Sequence, residues 1–283
     1  MSYDPAFLTL TVPLPRPATP SGTGTSEEWV ELGYTHFSVL LDPVRRLAAA
    51  TAVNIDGSRL LDLDRDGLDW FLDDRVPASA QLGEEVYARN DLDRGHLVRR
   101  RDPVWGEPAV AAVANAETFC FTNAAPQVAA FNQSKDLWLG LEDYLLAHAE
   151  VTDTRLTVLT GPVLDAGDPV YRGVQVPRAF WKVAAWAGSA GLAATAYLLD
   201  QSDLLAALLD RERVRGAEVG SDAGPVPELG AYRTFQVPVV TVGSTAGLDL
   251  GPLVAADRLA VHASALGPAE RAIELSSYRQ LVV

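Results

Sequence analysis

The residues with the clearest chemical potential form a basic cluster in the first half of the chain. Five arginines and one histidine fall close together: Arg89, Arg94, His96, Arg99, Arg100 and Arg101. The whole chain has 23 Lys and Arg residues against 37 Asp and Glu residues, so the cluster reverses the local sign of charge. Guanidinium groups bind phosphate in a bidentate manner, and a histidine with a pKa of about 6.5 can accept a proton at neutral pH. This composition indicates a ligand that is a polyanion and gives His96 the chemistry of a general base.

The same segment has a second interpretation, in which it is a solvated basic hairpin and His96 only titrates. Charge runs are usually exposed faces, and the spacing of the arginines does not exclude this interpretation. Gly95 could let the backbone approach a ligand, and Asp93 could orient either neighbour. The sequence contains no GxSxG elbow, no HExxH motif and no Walker loop, and its four histidines lack metal-ligand spacing. From the residues alone, both interpretations stay open.

The composition is that of an acidic globular protein. The net charge is −14 and the isoelectric point is about 4.6, which argues against a passive nucleic-acid binder with a basic face. A metal-dependent enzyme can carry this charge if its groove is locally basic. The single cysteine, Cys120, excludes an intrachain disulfide and a CxxC zinc site. No cationic segment followed by a long apolar one opens the sequence, so we expect a cytoplasmic protein, and a secreted mature form stays open.

The sequence predicts that the elements holding these residues form an α+β fold, with a central antiparallel sheet and flanking helices. Hydrophobic patterns predict a hairpin at 35–57, a helix over 132–150, and strands at 155–164, 174–186, 192–199 and 232–242. Segment 183–199 lacks charge and approaches the length of a membrane span. Its turn-like Gly-Ser-Ala-Gly centre and its Ala and Gly content predict a buried hairpin instead, so we expect no membrane association. Residues 1–27 are expected to form an arm or linker, and 28–283 a single domain.

Four further blocks follow the Asp-Arg-Gly-His segment in a characteristic order. They are FTNAAPQ at Phe121–Gln127, FNQSKDLWLGLEDY at Phe131–Tyr144, VLTGPV at Val158–Val163 and VPRAFWKV at Val176–Val183. Together, and in this order, the blocks resemble the DNA/RNA non-specific endonucleases of the ββα-metal, or His-Me finger, superfamily. The resemblance extends from about Val30 to Asp257. It implies a ββα-metal active-site motif on the predicted sheet.

The resemblance assigns a role to each matching residue. His96 becomes the general base, and Asn132 the direct protein ligand of a divalent cation, Mg²⁺, for which Mn²⁺ can substitute. Glu142 would hold the waters of that cation, and Arg94 would bind phosphate. Asn123 matches an asparagine near the metal. Mg²⁺ keeps most of its waters, so one amide ligand with a carboxylate behind it is sufficient.

This sequence departs from the family's usual pattern in two places. Five residues separate Asn132 from the tryptophan of the following helix, two more than in the usual form, which leaves Asn123 as a competing metal ligand. The second phosphate-binding arginine has no clear counterpart, and Arg65 is the candidate, with Arg75 as the alternative. We also expect Arg99 and Arg100 to contact the substrate.

The predicted activity is Mg²⁺-dependent hydrolysis of phosphodiester bonds in DNA, with RNA as a further substrate, leaving 5′-phosphate ends. Two alternatives stay open: a non-catalytic module that binds nucleic acid or protein on the same fold, and a phosphodiesterase that acts on small nucleotides. The acidic charge favours the second alternative, because long DNA would be repelled outside the groove. A homodimer, an inhibitor and an activating partner are all compatible with an endonuclease that must not damage its own cell.

Overall fold

Strands dominate the architecture of the chain, which a computed structural model describes over residues 1–18, 29–129, 154–217, 233–259 and 272–275. The strands within these ranges are β1 (Arg16–Pro17), β2 (Val30–Tyr34), β3 (Phe37–Asp42), β4 (Leu47–Asp56), β5 (Leu92–His96), β6 (Ala124–Val128), β7 (Arg155–Val163), β8 (Val170–Tyr171), β9 (Val174–Gln175), β10 (Ala179–Gly188), β11 (Gly191–Asp200), β12 (Arg233–Val237), β13 (Leu248–Asp249) and β14 (Ile273–Glu274). The helix predicted over 132–150 lies outside the described ranges.

Eight strands form one antiparallel sheet, in the order β14-β12-β11-β10-β7-β4-β3-β2. All ten residues of β4 are buried, because the sheet is covered on both faces there. Short helices flank the sheet: α1 (Glu84–Tyr87), α2 (Pro108–Glu117), α3 (Ser202–Ala217) and α4 (Val239–Ala246). The predicted α+β fold with a central antiparallel sheet is therefore confirmed.

The two faces of the sheet carry two separate hydrophobic cores, because side chains alternate along each strand. The first face packs against α1, β5, β6 and α3 through residues such as Val86, Val128 and Leu204. The second face packs against α4 and the N-terminal segment through residues such as Val12 and Val242. The ribbon that carries His96 thus lies over the first face.

Two segments differ from their sequence-based prediction. Residues 1–18 belong to the expected arm, yet Tyr3, Leu8 and Val12 are buried against the second face and β1 pairs with β13. The strand predicted over 232–242 is wrong in its second half, where β12 ends at Val237 and α4 follows. Pro238 has no N–H for a further ladder bond and leads into the helix, which explains the change.

The uncharged segment at 183–199 is a hairpin, as predicted. Strands β10 and β11 pair along their whole length, from Ala179 with Asp200 to Gly188 with Gly191. Gly191 has a φ of 115°, which favours glycine at this turn. None of the helices in the described ranges is long and apolar enough to cross a membrane.

Candidate active site

The Asp-Arg-Gly-His segment is strand β5, and it pairs with β6 in a two-stranded antiparallel ribbon. Within this ribbon His96 lies opposite Ala124, and Arg94 lies opposite Pro126. Gly95 is required by close packing, since a Cβ atom there would lie 2.1 Å from the Cδ of Gln127. The ribbon provides the two strands of the predicted ββα-metal motif, while the residues that would form its helix lie outside the described ranges.

His96 sits in an aromatic cage that we define by Trp70 and Phe119. Its ring centroid lies 4.8 Å from that of Trp70 and 5.2 Å from that of Phe119, whose ring stands perpendicular to the imidazole. Nε2 of His96 is buried and has no hydrogen-bond partner among the described residues. Burial, together with the positive charges of Arg65 and Arg100, lowers the pKa of His96 to about 3. The imidazole is therefore neutral at physiological pH.

The charges beside this cage form an arginine cluster made of Arg65, Arg99, Arg100 and Arg101. Arg100 donates to the carbonyl oxygen of Leu63 and, over 3.2 Å, to Oδ1 of Asn115. Burial and the neighbouring arginines, Arg101 first among them, lower the pKa of Arg100. Several guanidinium groups that destabilise one another's charge favour the arrival of an anion, because a phosphate would relieve this repulsion.

Arg94 lies on the same strand face as His96, two residues earlier. Its side chain, 31% exposed, forms a salt bridge with Glu84, whose side chain is 58% exposed, and its guanidinium lies 5.6 Å from the ring centroid of Tyr87. A salt bridge between two solvent-exposed side chains contributes little free energy, so little is lost when one partner is replaced. Arg94 can therefore leave Glu84 for a phosphate.

Asn123 is fully buried, and its amide is occupied by the backbone. Oδ1 accepts from the N–H of Val98 at 2.8 Å, while Nδ2 donates to the carbonyl oxygens of Val98 and Thr118 at 2.9 and 3.0 Å. These bonds fix the chain directly after His96. In this arrangement Asn123 holds the backbone of the site together, and its amide oxygen already accepts one hydrogen bond.

Asn132 and Glu142, predicted as the metal ligand and the carboxylate behind it, lie outside the described residues. Within the described ranges, no group of three or more His, Cys, Asp or Glu side chains could hold a metal ion.

Two residues that the sequence did not single out as site residues support the ribbon and its histidine. One is Trp70 of the cage. The other is Gln201, which is fully buried at the end of β11. Its Oε1 accepts from the N–H of Val128 at 2.9 Å, and its Nε2 donates to the carbonyl oxygens of Pro126 and Pro177 at 3.3 and 2.7 Å. Gln201 thereby joins β6 to the main sheet.

Comparisons with known proteins show the family of the chain. A family profile described as DNA/RNA non-specific endonuclease matches residues 15–257. Uncharacterized protein y4fB of Sinorhizobium fredii (strain NBRC 101917 / NGR234) is 39% identical over 263 residues, which cover 87% of this chain and 38% of that protein. Mitochondrial endonuclease G of Bos taurus is 32% identical over 102 residues, 36% of this chain and 31% of that protein. The chain thus spans less than two fifths of the length of either relative.

A solved structure shares the fold. It is described as the crystal structure of the EndoG/EndoGI complex and the mechanism of EndoG inhibition, and it matches with a TM-score of 0.56. The match covers 80% of this chain and 87% of the other at 21% sequence identity. At this identity the similarity concerns the fold, which agrees with the antiparallel sheet and flanking helices described above.

Proposed function

Since the chain belongs to the DNA/RNA non-specific endonuclease family, we propose that it hydrolyses phosphodiester bonds of DNA and RNA with His96 as the general base. The observation that carries the proposal is the position of His96, a neutral imidazole held in an aromatic cage beside an arginine cluster. A neutral imidazole can accept a proton from an attacking water, and the arginines can receive the phosphate on which that water acts.

The arginines also tune the base. In the free protein burial, and then the charges of Arg65 and Arg100, hold the pKa of His96 low, where the imidazole is a weak base. A phosphate bound between them neutralises this charge, so the pKa of His96 rises when the substrate arrives. His96 is therefore the strongest base when the substrate is bound, which is when it must accept a proton from the attacking water.

Phosphate binding is shared between the two sides of His96 in this proposal. Arg65 and Arg100 approach from the loop side, and Arg94 comes from the preceding position on the same strand face after leaving Glu84. Charged donors that surround a phosphoryl group stabilise the additional negative charge of the transition state. Arg99 lies next to Arg100 and extends the same positive surface.

We assign the metal to Asn132 as the direct protein ligand, with Glu142 holding the coordinated waters. A bound Mg²⁺ would supply charge neutralisation for the phosphate and help for the departing 3′-oxygen. The hydrogen bonds of Asn123 support this choice over the competing ligand, because its amide oxygen already accepts from the N–H of Val98. Hydrolysis by this route leaves 5′-phosphate and 3′-hydroxyl ends.

Cleavage of defined substrates tests the proposal. Supercoiled plasmid, single-stranded RNA and a dinucleotide are each incubated with the protein and Mg²⁺, with and without EDTA, and the ends of the products are identified. We expect cleavage of plasmid and RNA that EDTA abolishes and that added Mg²⁺ or Mn²⁺ restores. Cleavage of the dinucleotide alone would instead support a small-nucleotide phosphodiesterase. If the protein binds plasmid but all three substrates stay intact with either metal, it is a binding module and the proposal is wrong.

We also propose that the activity is restrained by a protein partner or by assembly. EndoG, which shares the fold, was solved in a complex with the inhibitor EndoGI. An acidic protein with one basic site offers an inhibitor a distinctive target, namely the arginine cluster, and an acidic inhibitor surface would complement it. Gel filtration with and without DNA distinguishes a homodimer from a monomer and shows whether assembly accompanies cleavage.

A further inference from the structure

A cavity lies apart from the proposed active site. Its volume is about 510 Å³, and its lining includes Phe7, His36 and Trp105, together with Arg59 and Arg155. We call it the Phe7–Trp105 pocket. None of the described site residues predicted from the sequence contributes to its lining. The mechanism above therefore leaves this pocket without a role.

The lining of the pocket presents flat aromatic surfaces. The imidazole of His36 stacks on the indole of Trp105 with ring centroids 3.5 Å apart and planes within 8°. The ring of Phe7 lies 5.6 Å from Trp105 at an angle of 35°. His36 has a φ of 68°, in the left-handed region that non-glycine residues rarely adopt, so the backbone is strained where it holds this stack. Phe7 and His36 are partly exposed, so a planar ligand can extend this stack of rings.

Two guanidinium groups of the lining lie against these aromatic rings. Arg59 lies 4.7 Å from the ring centroid of Trp105, and Arg155 lies 5.0 Å from that of Phe7. Both arginines pair with the buried carboxylate of Asp56, at 3.0 and 3.5 Å. Planar guanidinium groups stack on nucleobases as readily as on aromatic side chains.

The charge of the pocket argues for an uncharged ring as its ligand. Asp56 partly neutralises the two arginines, and two further carboxylates, Asp4 and Glu107, belong to the lining. A phosphate would meet the carboxylates of Asp4 and Glu107 in this lining, whereas the arginine cluster beside His96 offers it several cations. The carboxylates can instead accept hydrogen bonds from the amino groups of a nucleobase.

The backbone joins the pocket directly to the arginine cluster. Leu60 forms a bridge with Trp105, the N–H of Leu61 donates to the carbonyl oxygen of Val104 at 2.9 Å, and Arg100 donates to the carbonyl oxygen of Leu63. The segment from Arg59 to Arg65 therefore runs from the pocket to the charges beside His96. Even fully extended, this segment spans no more than about 20 Å, the length of about six stacked nucleotides.

We propose that the Phe7–Trp105 pocket is a substrate subsite, in which a nucleobase several nucleotides from the scissile phosphate stacks on the aromatic surface. This inference rests on the proposed nuclease function and adds to it the expectation that longer single strands bind more tightly than short ones. The ligand is an unpaired base, because a base within a duplex cannot enter a pocket of this kind without leaving its stack.

Binding of single-stranded oligonucleotides in EDTA tests the subsite without any cleavage. The ligands are a fluorescent dinucleotide, a 12-mer, and a 12-mer that lacks its bases outside the central dinucleotide. We expect the 12-mer to bind the wild type at least about fivefold more tightly than the abasic 12-mer, which corresponds to one stacked base. Phe7→Ala and Arg155→Ala should bind the two 12-mers equally, so that this gain in affinity is lost. Both variants should keep the affinity of the wild type for the dinucleotide, which is too short to reach the pocket.

Arg233→Ala is the matched control for Arg155→Ala. Arg233 is also a half-exposed strand residue paired with a carboxylate, and its guanidinium lies 4.8 Å from the ring centroid of Phe235. This variant should keep the full gain, and thermal unfolding should show that Phe7→Ala is folded at the assay temperature. Equal binding of the two 12-mers by the wild type, or an unchanged gain in Phe7→Ala and Arg155→Ala, overturns the subsite. Cleavage with Mg²⁺ is measured separately, so a failed subsite and a failed nuclease function give different results.

Discussion

Acidification should lower the free energy of unfolding through protonation of His96. The size of this effect depends on how far the folded structure lowers the pKa of His96. In the folded protein its pKa is lowered to about 3, mainly by burial and then by Arg65 and Arg100. In the unfolded chain the pKa returns to about 6.5. Between these values the unfolded chain binds a proton that the folded protein does not, so the free energy of unfolding falls as the pH decreases through this range.

The magnitude follows from the two pKa values. Between pH 7 and pH 5 the contribution of His96 to the free energy of unfolding should fall by up to about 2 kcal/mol. The variant His96→Phe keeps an aromatic ring in the cage and removes the titration, so its stability should lack this part of the pH dependence. His36 also has a lowered pKa, because it is partly buried, but it is present in both proteins and cancels from the difference.

Urea unfolding of both proteins at pH 7 and pH 5 measures this difference. We expect the wild type to lose up to about 2 kcal/mol more than His96→Phe between the two pH values. An equal loss in the two proteins would refute the lowered pKa of His96 in the folded protein. Bound phosphate analogue should reduce the difference, since an anion near Arg65 and Arg100 raises the pKa of His96.

Three further predictions concern the residues around His96. Asn123→Ala should lower the free energy of unfolding, measured in urea, by about 3 kcal/mol, because it leaves buried backbone groups without partners. Asn132→Ala should instead abolish Mg²⁺-dependent cleavage of plasmid. Arg94→Ala should raise the KM for oligonucleotides about tenfold, while Glu84→Gln should lower the KM, and a shift of both variants in one direction would contradict the exchange of partners. Gln201→Ala should lower kcat about tenfold or more with little change in KM, since it misplaces β6 and touches no substrate; an unchanged kcat in steady-state kinetics would exclude this positioning role.

Much of the fold follows from local patterns in the sequence. The hairpin of β10 and β11 was predictable because a Gly-Ser-Ala-Gly turn separates two short apolar runs. The burial of residues 1–18 could not be predicted, because their Pro-rich composition resembles that of a linker. Tyr3 and Val12 pack against the second face of the sheet, a contact that no local pattern indicates. The strand predicted at 239–242 is wrong. Val239, Val240 and Val242 favour strands, whereas Pro238 and tertiary packing produce a helix there.

The sequence predicts His96 and Arg94 as site residues, but it does not predict which residues surround them. The ordered motifs identified His96 and Arg94, and the structure places both on one face of β5. The contact between Trp70 and His96 joins residues 26 positions apart and follows no periodic pattern, so the low pKa of His96 could not be inferred from the sequence. The same holds for Asn123, whose motif indicates a metal environment while its hydrogen bonds bind backbone.

The rate of plasmid cleavage by a histidine variant tests the central proposal most directly. Single-turnover cleavage of supercoiled plasmid with Mg²⁺ at pH 7 is compared among the wild type, His96→Ala and His262→Ala, a control histidine that belongs to none of the motifs. A general base contributes at least about 100-fold to the rate, so we predict a loss of this size in His96→Ala and an unchanged rate in His262→Ala. Cleavage by His96→Ala at the rate of the wild type would contradict the assignment of His96 as the base.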